Sequence, residues 1–278
     1  MVLYKNGNIY LKIVYWGMVT SGKTTILKTL HRLTKETKQD IVPIGNLKII
    51  ERDNGATLYF DQGIFQSTKE KRVYYRVFTV AGQRSFTPLR VKILNRKDDE
   101  TDAVIFVVDS QTRLFEDNIE SLMELKSLTN DRLIKKIPFI VLLNKQDLKE
   151  VIDEEDFIHI LKREKLWYEP KNKLSIWNPL IYKTCALYDN EKDIYRSFHE
   201  CARRTVLYHI YGKDGARFPY HYIYKPPQPP DDIKPAYQAQ RKIIREEEDS
   251  QAKLDCPYCG YKIPKGQNYC PICGKDVF

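Results

Sequence analysis

Apolar residues along this chain fall into two alternating rhythms. Ile9 to Trp16 is an almost unbroken apolar run rich in β-branched and aromatic side chains, which predicts a buried strand. Thr25 to Arg32 then sets Ile26, Leu27 and Leu30 at helical spacing. After a polar turn come Gly45 to Glu51 and the loop 52 to 55. The run Ala56 to Asp61 and the run Lys71 to Val80 predict two strands of a hairpin joined by the polar stretch Gln66 to Glu70. A short helix is expected from about Phe86 to Arg96. Ala103 to Val108 and Pro138 to Leu143 are continuous apolar runs, the signature of buried parallel strands. Between them, Phe115, Ile119, Leu122, Leu125 and Leu128 mark a helix. A helix from about Glu154 to Glu164, a strand at Leu180 to Tyr182 and a last helix striped by Ile194, Phe198, Cys201, Thr205 and Tyr208 complete the series.

Strands that alternate with helices predict an α/β fold, a mostly parallel sheet covered by helices on both faces. Ligands of such sheets bind at the carboxyl ends of the strands. The polar motifs of this chain stand at those ends. Residues 17 to 24 read Gly-Met-Val-Thr-Ser-Gly-Lys-Thr, the pattern G-x-x-x-x-G-K-[ST] of a phosphate-binding loop between a strand and a helix. Gly17 and Gly22 let backbone N–H groups approach phosphate oxygens, and the following helix adds its positive end. Lys23 would reach the β- and γ-phosphates, and the Thr24 hydroxyl would bind Mg²⁺. Thr20, Ser21 and Thr25 complete the nucleotide-binding candidates of this stretch.

Asn144-Lys145-Gln146-Asp147 has the spacing N-K-x-D at the end of an apolar strand. An Asp carboxylate accepts two hydrogen bonds from the N1–H and N2–H₂ edge of guanine. Adenine offers no such pair and would leave Asp147 unpaired, at a cost of about 1–3 kcal/mol or more. Asn144 would bond either the base or the scaffold, and the Lys145 stem would cover the purine ring. Cys185-Ala186-Leu187 would give a backbone N–H to guanine O6.

Length and composition add bounds. The 278 residues suit one sizeable domain and an appendage, and 42% hydrophobic residues suffice for a core. No run of 18 or more apolar residues predicts a membrane span. The first ten residues lack a signal-peptide core, Val2 replaces the glycine of myristoylation, and the final KDVF has no prenylatable Cys, so a cytoplasmic protein is expected. The net charge is +9; from Lys225 onward nine Lys/Arg face eight Asp/Glu, leaving +8 on residues 1 to 224. That excess permits peripheral contact with acidic lipid or nucleic acid but does not require it.

The phosphate loop, Thr57, Ala-Gly-Gln at 81 to 83, N-K-Q-D at 144 to 147 and C-A-L at 185 to 187 together resemble the Ras-like small GTPases over roughly residues 7 to 210. KIVYWG, TLYFDQG, FTVAGQ and FVVDS are similar to the MglA-type, gliding-motility and cell-polarity branch. The resemblance implies a P-loop NTPase domain that binds GTP with Mg²⁺ and hydrolyses it to GDP. Thr57 matches the switch I threonine that bonds Mg²⁺ and the γ-phosphate, and Gly82 the switch II glycine. Gln83 matches the glutamine that orients the attacking water, so Gln83, Lys23 and Thr57 are the catalytic candidates. Loss of the γ-phosphate would release both switches. Activating and exchange proteins, effectors and roadblock-type dimers are the partners implied.

Two departures stand out. Thr79 replaces the Asp of the usual D-x-x-G, which holds an Mg²⁺ water, and Asp61 could help from the neighbouring strand. Ala56 stands where the branch often has an arginine finger, with Arg52 nearby. Slow intrinsic hydrolysis is therefore expected, with an activating partner supplying missing groups.

The tail reads differently. Residues 211 to 253 form a Pro/Tyr-rich linker, including Lys225-Pro226-Pro227-Gln228-Pro229-Pro230, followed by a charged helix. Residues 254 to 278 carry Cys256, Cys259, Cys270 and Cys273 as C-x₂-C-x₁₀-C-x₂-C, a Cys₄ zinc ribbon. Zn²⁺ would supply most of so small a segment's folding free energy, on the order of 10 kcal/mol or more. All four positions are filled, so the site is structural, and its few basic residues favour a protein target over nucleic acid. Three readings follow: a GTP-operated switch, a nucleotide-locked scaffold that hydrolyses nothing usefully, and an RNA- or ribosome-associated GTPase.

Overall fold

The structure, a computed structural model, describes residues 2–36, 39–48, 61–82, 86–95, 99–187 and 191–211, together with the pairs 254–255 and 262–263. The chain divides into two compact units, Met1–Phe218 and Pro219–Phe278. In the first, β1 (Leu3–Lys5) turns into β2 (Asn8–Trp16), which feeds α1 (Lys23–Glu36). Then come β3 (Ile41–Pro43), β4 (Gln62–Ser67), β5 (Val73–Thr79), α2 (Thr87–Asn95) and the two-residue β6 (Asp99–Glu100). β7 (Ala103–Asp109), α3 (Phe115–Leu128), β8 (Phe139–Asn144), α4 (Glu154–Arg163), β9 (Leu180–Thr184) and α5 (Glu191–Tyr211) follow. In the second unit, β10 (Leu254–Asp255) pairs antiparallel with β11 (Lys262–Ile263).

The sheet is mixed, in the order β3-β4-β5-β2-β7-β8-β9, with β1 paired to β2. β5, β2, β7, β8 and β9 run parallel, and β3 and β4 add an antiparallel edge. Side-chain alternation divides the interior into two cores. Val14, Trp16, Val104, Phe106, Val108, Phe139 and Val141 face one way, toward residues of α2, α3 and α4. Ile13, Tyr15, Ile105, Val107, Ile140 and Leu142 face the other, toward α1 and α5. Strands buried on both faces need apolar residues at every position, which is why they read as unbroken runs. Each such Val, Leu, Ile or Phe contributes about 1.5–3 kcal/mol on burial.

Two elements differ from the expected ones. The hairpin is present, but its first strand begins at Gln62 and runs through Gln66 and Ser67, which the pattern gave to the turn. Gly63 and Phe65 are its buried positions, so one of its two inward side chains is a hydrogen atom. The run Ala56 to Phe60 lies outside the described residues. The edge strand β3 was not expected, since three residues carry no period.

Helix ends follow charge. α4 opens with Glu154, Glu155 and Asp156 and closes with Lys162 and Arg163. α3 opens with Glu116 and Asp117. Both complement the helix dipole. α1 has no acidic residue in its first turn. Its positive end is left for another anion.

Candidate nucleotide site

The carboxyl ends of β2, β7, β8 and β9 meet at one edge of the sheet. β2 ends at Trp16 and passes through residues 17 to 22 into α1. A Cβ on Gly22 would collide with the Asn144 side-chain amide, and one on Gly82 with the backbone of Met18 and Val19. Both positions admit only glycine at this packing. Ser21 is fully buried, whereas Thr20 is exposed with a positive φ of 63°. Thr25 is half-buried in the first turn of α1.

Lys23 is buried, and its ammonium donates to Gly17 O (2.9 Å), Met18 O (2.6 Å) and Ser21 Oγ (3.3 Å). Burial pulls its pKa down to about 7; the nearby Arg90 charge adds to the effect and Asp61 opposes it. An anion arriving at the loop would reverse that shift by favouring the charged ammonium.

Asn144 binds the strand ends together. Its Nδ2 donates to Ser21 O at 2.9 Å, and its Oδ1 accepts from the buried Thr184 hydroxyl at 3.2 Å. Of the two roles open to it, scaffold is the one the geometry displays. Lys145 has a positive φ of 68°, and its ammonium pairs with the buried Asp109 carboxylate at 2.6 Å. That pair aligns the lysine stem. Asp109 also accepts from the Gln111 backbone and side chain, and Gln146 donates to Ser110 Oγ at 2.9 Å. Asp147 is exposed beyond this network. Cys185 and Ala186 are buried and Leu187 is exposed, with Ala186 O accepting from Thr29 of α1 at 2.8 Å.

The positioning roles of Asp109, Thr184 and Thr29 were not read from the sequence. Asp109-Ser110 closing an apolar strand was the available signal. Thr184 and Thr29 are single hydroxyls that only the fold brings to the loops they hold.

On the other side of the loop, Thr24 Oγ1 donates to Asp61 Oδ2 at 2.5 Å, and Thr79 Oγ1 donates to the same oxygen at 2.7 Å. Asp61 is fully buried. α2 is fastened nearby: the Arg90 guanidinium stacks on Trp16, 4.2 Å from the ring centre, and pairs with Glu124 of α3 at 2.6 Å. Thr57 and Gln83 lie outside the described residues, as do Cys256, Cys259, Cys270 and Cys273.

The sequence model of the ADP-ribosylation factor family matches residues 2–197, and that of the zinc-ribbon domain matches residues 256–277. Mutual gliding-motility protein MglA of Myxococcus xanthus (strain DK1622) is 33% identical over 161 residues, 55% of this chain and 76% of that protein. ADP-ribosylation factor-like protein 3 of Caenorhabditis elegans is 26% identical over 162 residues, 57% of this chain and 75% of that one. Among solved structures, the Arl6 BBS3 small GTPase from Trypanosoma brucei with bound nucleotide analogue GppNp is 23% identical. It covers 70% of this chain and 97% of that one, with a TM-score of 0.46. No described helix is long and apolar enough to cross a membrane. The G-x-x-x-x-G-K-T sequence at residues 17 to 24, the strand ends gathered around Asn144 and a family match over most of the first unit lead to one conclusion: the chain belongs to the ADP-ribosylation factor family of small GTPases, with a zinc-ribbon sequence at its C-terminus.

Proposed function

We propose that this chain is a GTP-operated switch that hydrolyses GTP slowly and relies on an activating protein for speed. The observation that carries the reading is the Asn144 bridge. It joins the loop at Ser21 to β8, which leads into Asp147, and to β9, which leads into Cys185. Phosphate-binding and base-reading groups are thereby held as one unit.

Within that site the backbone of residues 17 to 24 and the first turn of α1 would hold the phosphates. Lys23 would leave its carbonyl partners for the β- and γ-phosphates. Asp147 would accept from the guanine edge, with the Lys145 stem over the ring. The Thr24 hydroxyl beside a buried, incompletely bonded carboxylate suits Mg²⁺, an ion that takes oxygen ligands. Mg²⁺, when bound, neutralises charge on the β- and γ-phosphates. Gln83 would orient water, and Thr57 and Gly82 would sense the γ-phosphate. The four ribbon cysteines would hold Zn²⁺ and present a surface for a protein partner.

Purification without added ligand, followed by identification of the retained nucleotide and metals, tests this reading. GDP or GTP with Mg²⁺ and one Zn²⁺ per chain is expected. Retention of adenine nucleotide in their place would overturn it.

A further inference from the structure

We propose that the end of the first unit opposite the nucleotide site docks on an anionic lipid membrane. The surface is built from two segments that lead into neighbouring strands. Residues 129 to 138 run from α3 into β8, and residues 164 to 179 run from α4 into β9. β8 and β9 lie side by side in parallel, with Ile140 opposite Leu180, so both segments sit at the amino end of the sheet. Lys126 joins them, pairing with Glu164 at 3.2 Å and with Asp131 at 3.8 Å. The nucleotide-binding candidates occupy the other, carboxyl end.

Both segments bury their apolar residues and turn their lysines out. Leu133, Ile134 and Ile137 are buried, whereas Lys135 and Lys136 are exposed. Leu166 and Trp177 are buried, whereas Lys165, Lys171 and Lys173 are exposed. The second segment is fixed in shape: Asn178 exchanges two hydrogen bonds with the Tyr168 backbone, at 2.8 Å each, and Arg204 of α5 donates to Asn178 O at 2.8 Å. None of the five lysines has an acidic partner among the described residues. The carboxylates of this end are already engaged: Glu164 and Asp131 with Lys126, Glu169 with Lys162 at 3.1 Å, and Glu100 with Arg132 at 3.3 Å. The five charges therefore stand uncompensated, a surface of one sign that attracts anions.

What stands beside the lysines favours lipid over nucleic acid. Ile176 and Leu180 are 40% and 36% exposed. Apolar side chains set among lysines enter the boundary of headgroups and acyl chains, while the lysines meet the anionic headgroups. Single-stranded nucleic acid would need aromatic faces to stack on. The rings here are committed elsewhere: Trp177 is buried and meets Tyr208 edge-on at 5.6 Å, and Trp167 and Tyr168 pack against the core. A membrane at this end leaves the carboxyl ends of the strands facing away from it.

The test is co-sedimentation of the full-length protein with vesicles of phosphatidylcholine alone or mixed with phosphatidylserine, at about 0.1 M and about 0.5 M salt. The wild type should bind only the mixed vesicles, and more weakly at the higher salt. Each lysine near such a surface is worth roughly fivefold in partition. Lys135→Glu with Lys136→Glu, and separately Lys171→Glu with Lys173→Glu, should each lower binding by about tenfold or more. Ile176→Ser with Leu180→Ser should lower it several-fold at both salt concentrations. Lys149→Glu with Lys192→Glu makes the same charge change on exposed residues outside this end and should lower binding less than either lysine pair.

A wild type that ignores phosphatidylserine, or a control pair that lowers binding as far as the lysine pairs do, overturns the proposal. Binding of single-stranded RNA by a wild type that ignores both kinds of vesicle would assign the same lysines to nucleic acid and overturn the lipid. The sedimentation needs no nucleotide, so failure of the guanine-nucleotide reading leaves its result standing.

Discussion

The Asn144 side-chain amide donates to the Ser21 carbonyl across 123 residues of sequence, at 2.9 Å. Both partners are buried, so water cannot replace either if the other is lost. Truncation to Asn144→Ala leaves the Ser21 carbonyl and the Thr184 hydroxyl unsatisfied, a cost of about 1–3 kcal/mol. GDP affinity should fall about ten- to a hundredfold, and the melting temperature should fall with it. Titration with GDP and a thermal melt read both effects, and an unchanged affinity would show that the loop holds its shape alone.

Asp147 differs in kind, because it is exposed and its change should leave stability alone. Asp147→Asn replaces one acceptor by a donor. Guanine presents two donors to this residue, whereas xanthine presents a donor and an acceptor. Preference should move from GDP toward xanthosine diphosphate by about tenfold or more, the value of a buried polar mismatch. Competition binding with the two nucleotides decides it.

Lys23 gives a pH dependence with a definite sign. Burial holds the free protein's ammonium at about 7. Bound phosphate favours the charged form and raises the pKa. The group's contribution to binding is complete below pH 7 and is lost as pH rises through the bound-state value. GDP affinity should therefore be flat below pH 7 and decline above it, with proton uptake on binding at pH 8. Calorimetry in two buffers of different ionisation enthalpy measures that uptake; equal heats would contradict the expectation.

Hydrolysis by the protein alone should be slow, on the order of 10⁻³ s⁻¹ or below, the intrinsic range of small GTPases that lack an arginine finger. A single-turnover measurement with radiolabelled GTP suffices. Turnover in seconds would mean that the chain supplies its own missing charge, and Arg52 would be the first residue to replace.

For the ribbon, elemental analysis should find one Zn²⁺ per chain. Cys270→Ser should abolish it, because three thiolates leave the tetrahedral set open. The β10–β11 pairing should be lost with the metal, since so small a segment has little else to fold around.

Much of the fold was legible because its central strands are covered on both faces. β2, β7 and β8 have an apolar residue at nearly every position, and no turn or surface helix is written that way. β4 is poorly legible for the opposite reason. Gln62-Gly63-Ile64-Phe65-Gln66-Ser67 has little apolar content of its own and is a strand because β5 lies beside it. The neighbouring Thr-Leu-Tyr-Phe has the stronger local pattern. At the site, motifs of fixed spacing could be read, and their ends lie on one edge of the sheet. Thr29, Asp109 and Thr184 could not, since a hydrogen bond between distant residues leaves no period. Asp61 stands out in the sequence by position alone; the two hydroxyls that hold it belong to α1 and β5.

β2 grips the helix that follows Gly82 at two places. Trp16 lies under Arg90, and the buried Lys12 ammonium, which also pairs with Asp99 at 3.3 Å, donates to Ile93 O at 2.5 Å. The far half of α2 is thus moored to the same strand that leads into residues 17 to 24. On the proposed switch reading, a displacement starting at Gly82 would be stopped at Arg90, so a protein that told the two nucleotide states apart on this side would have to bind ahead of that anchor rather than farther along the helix.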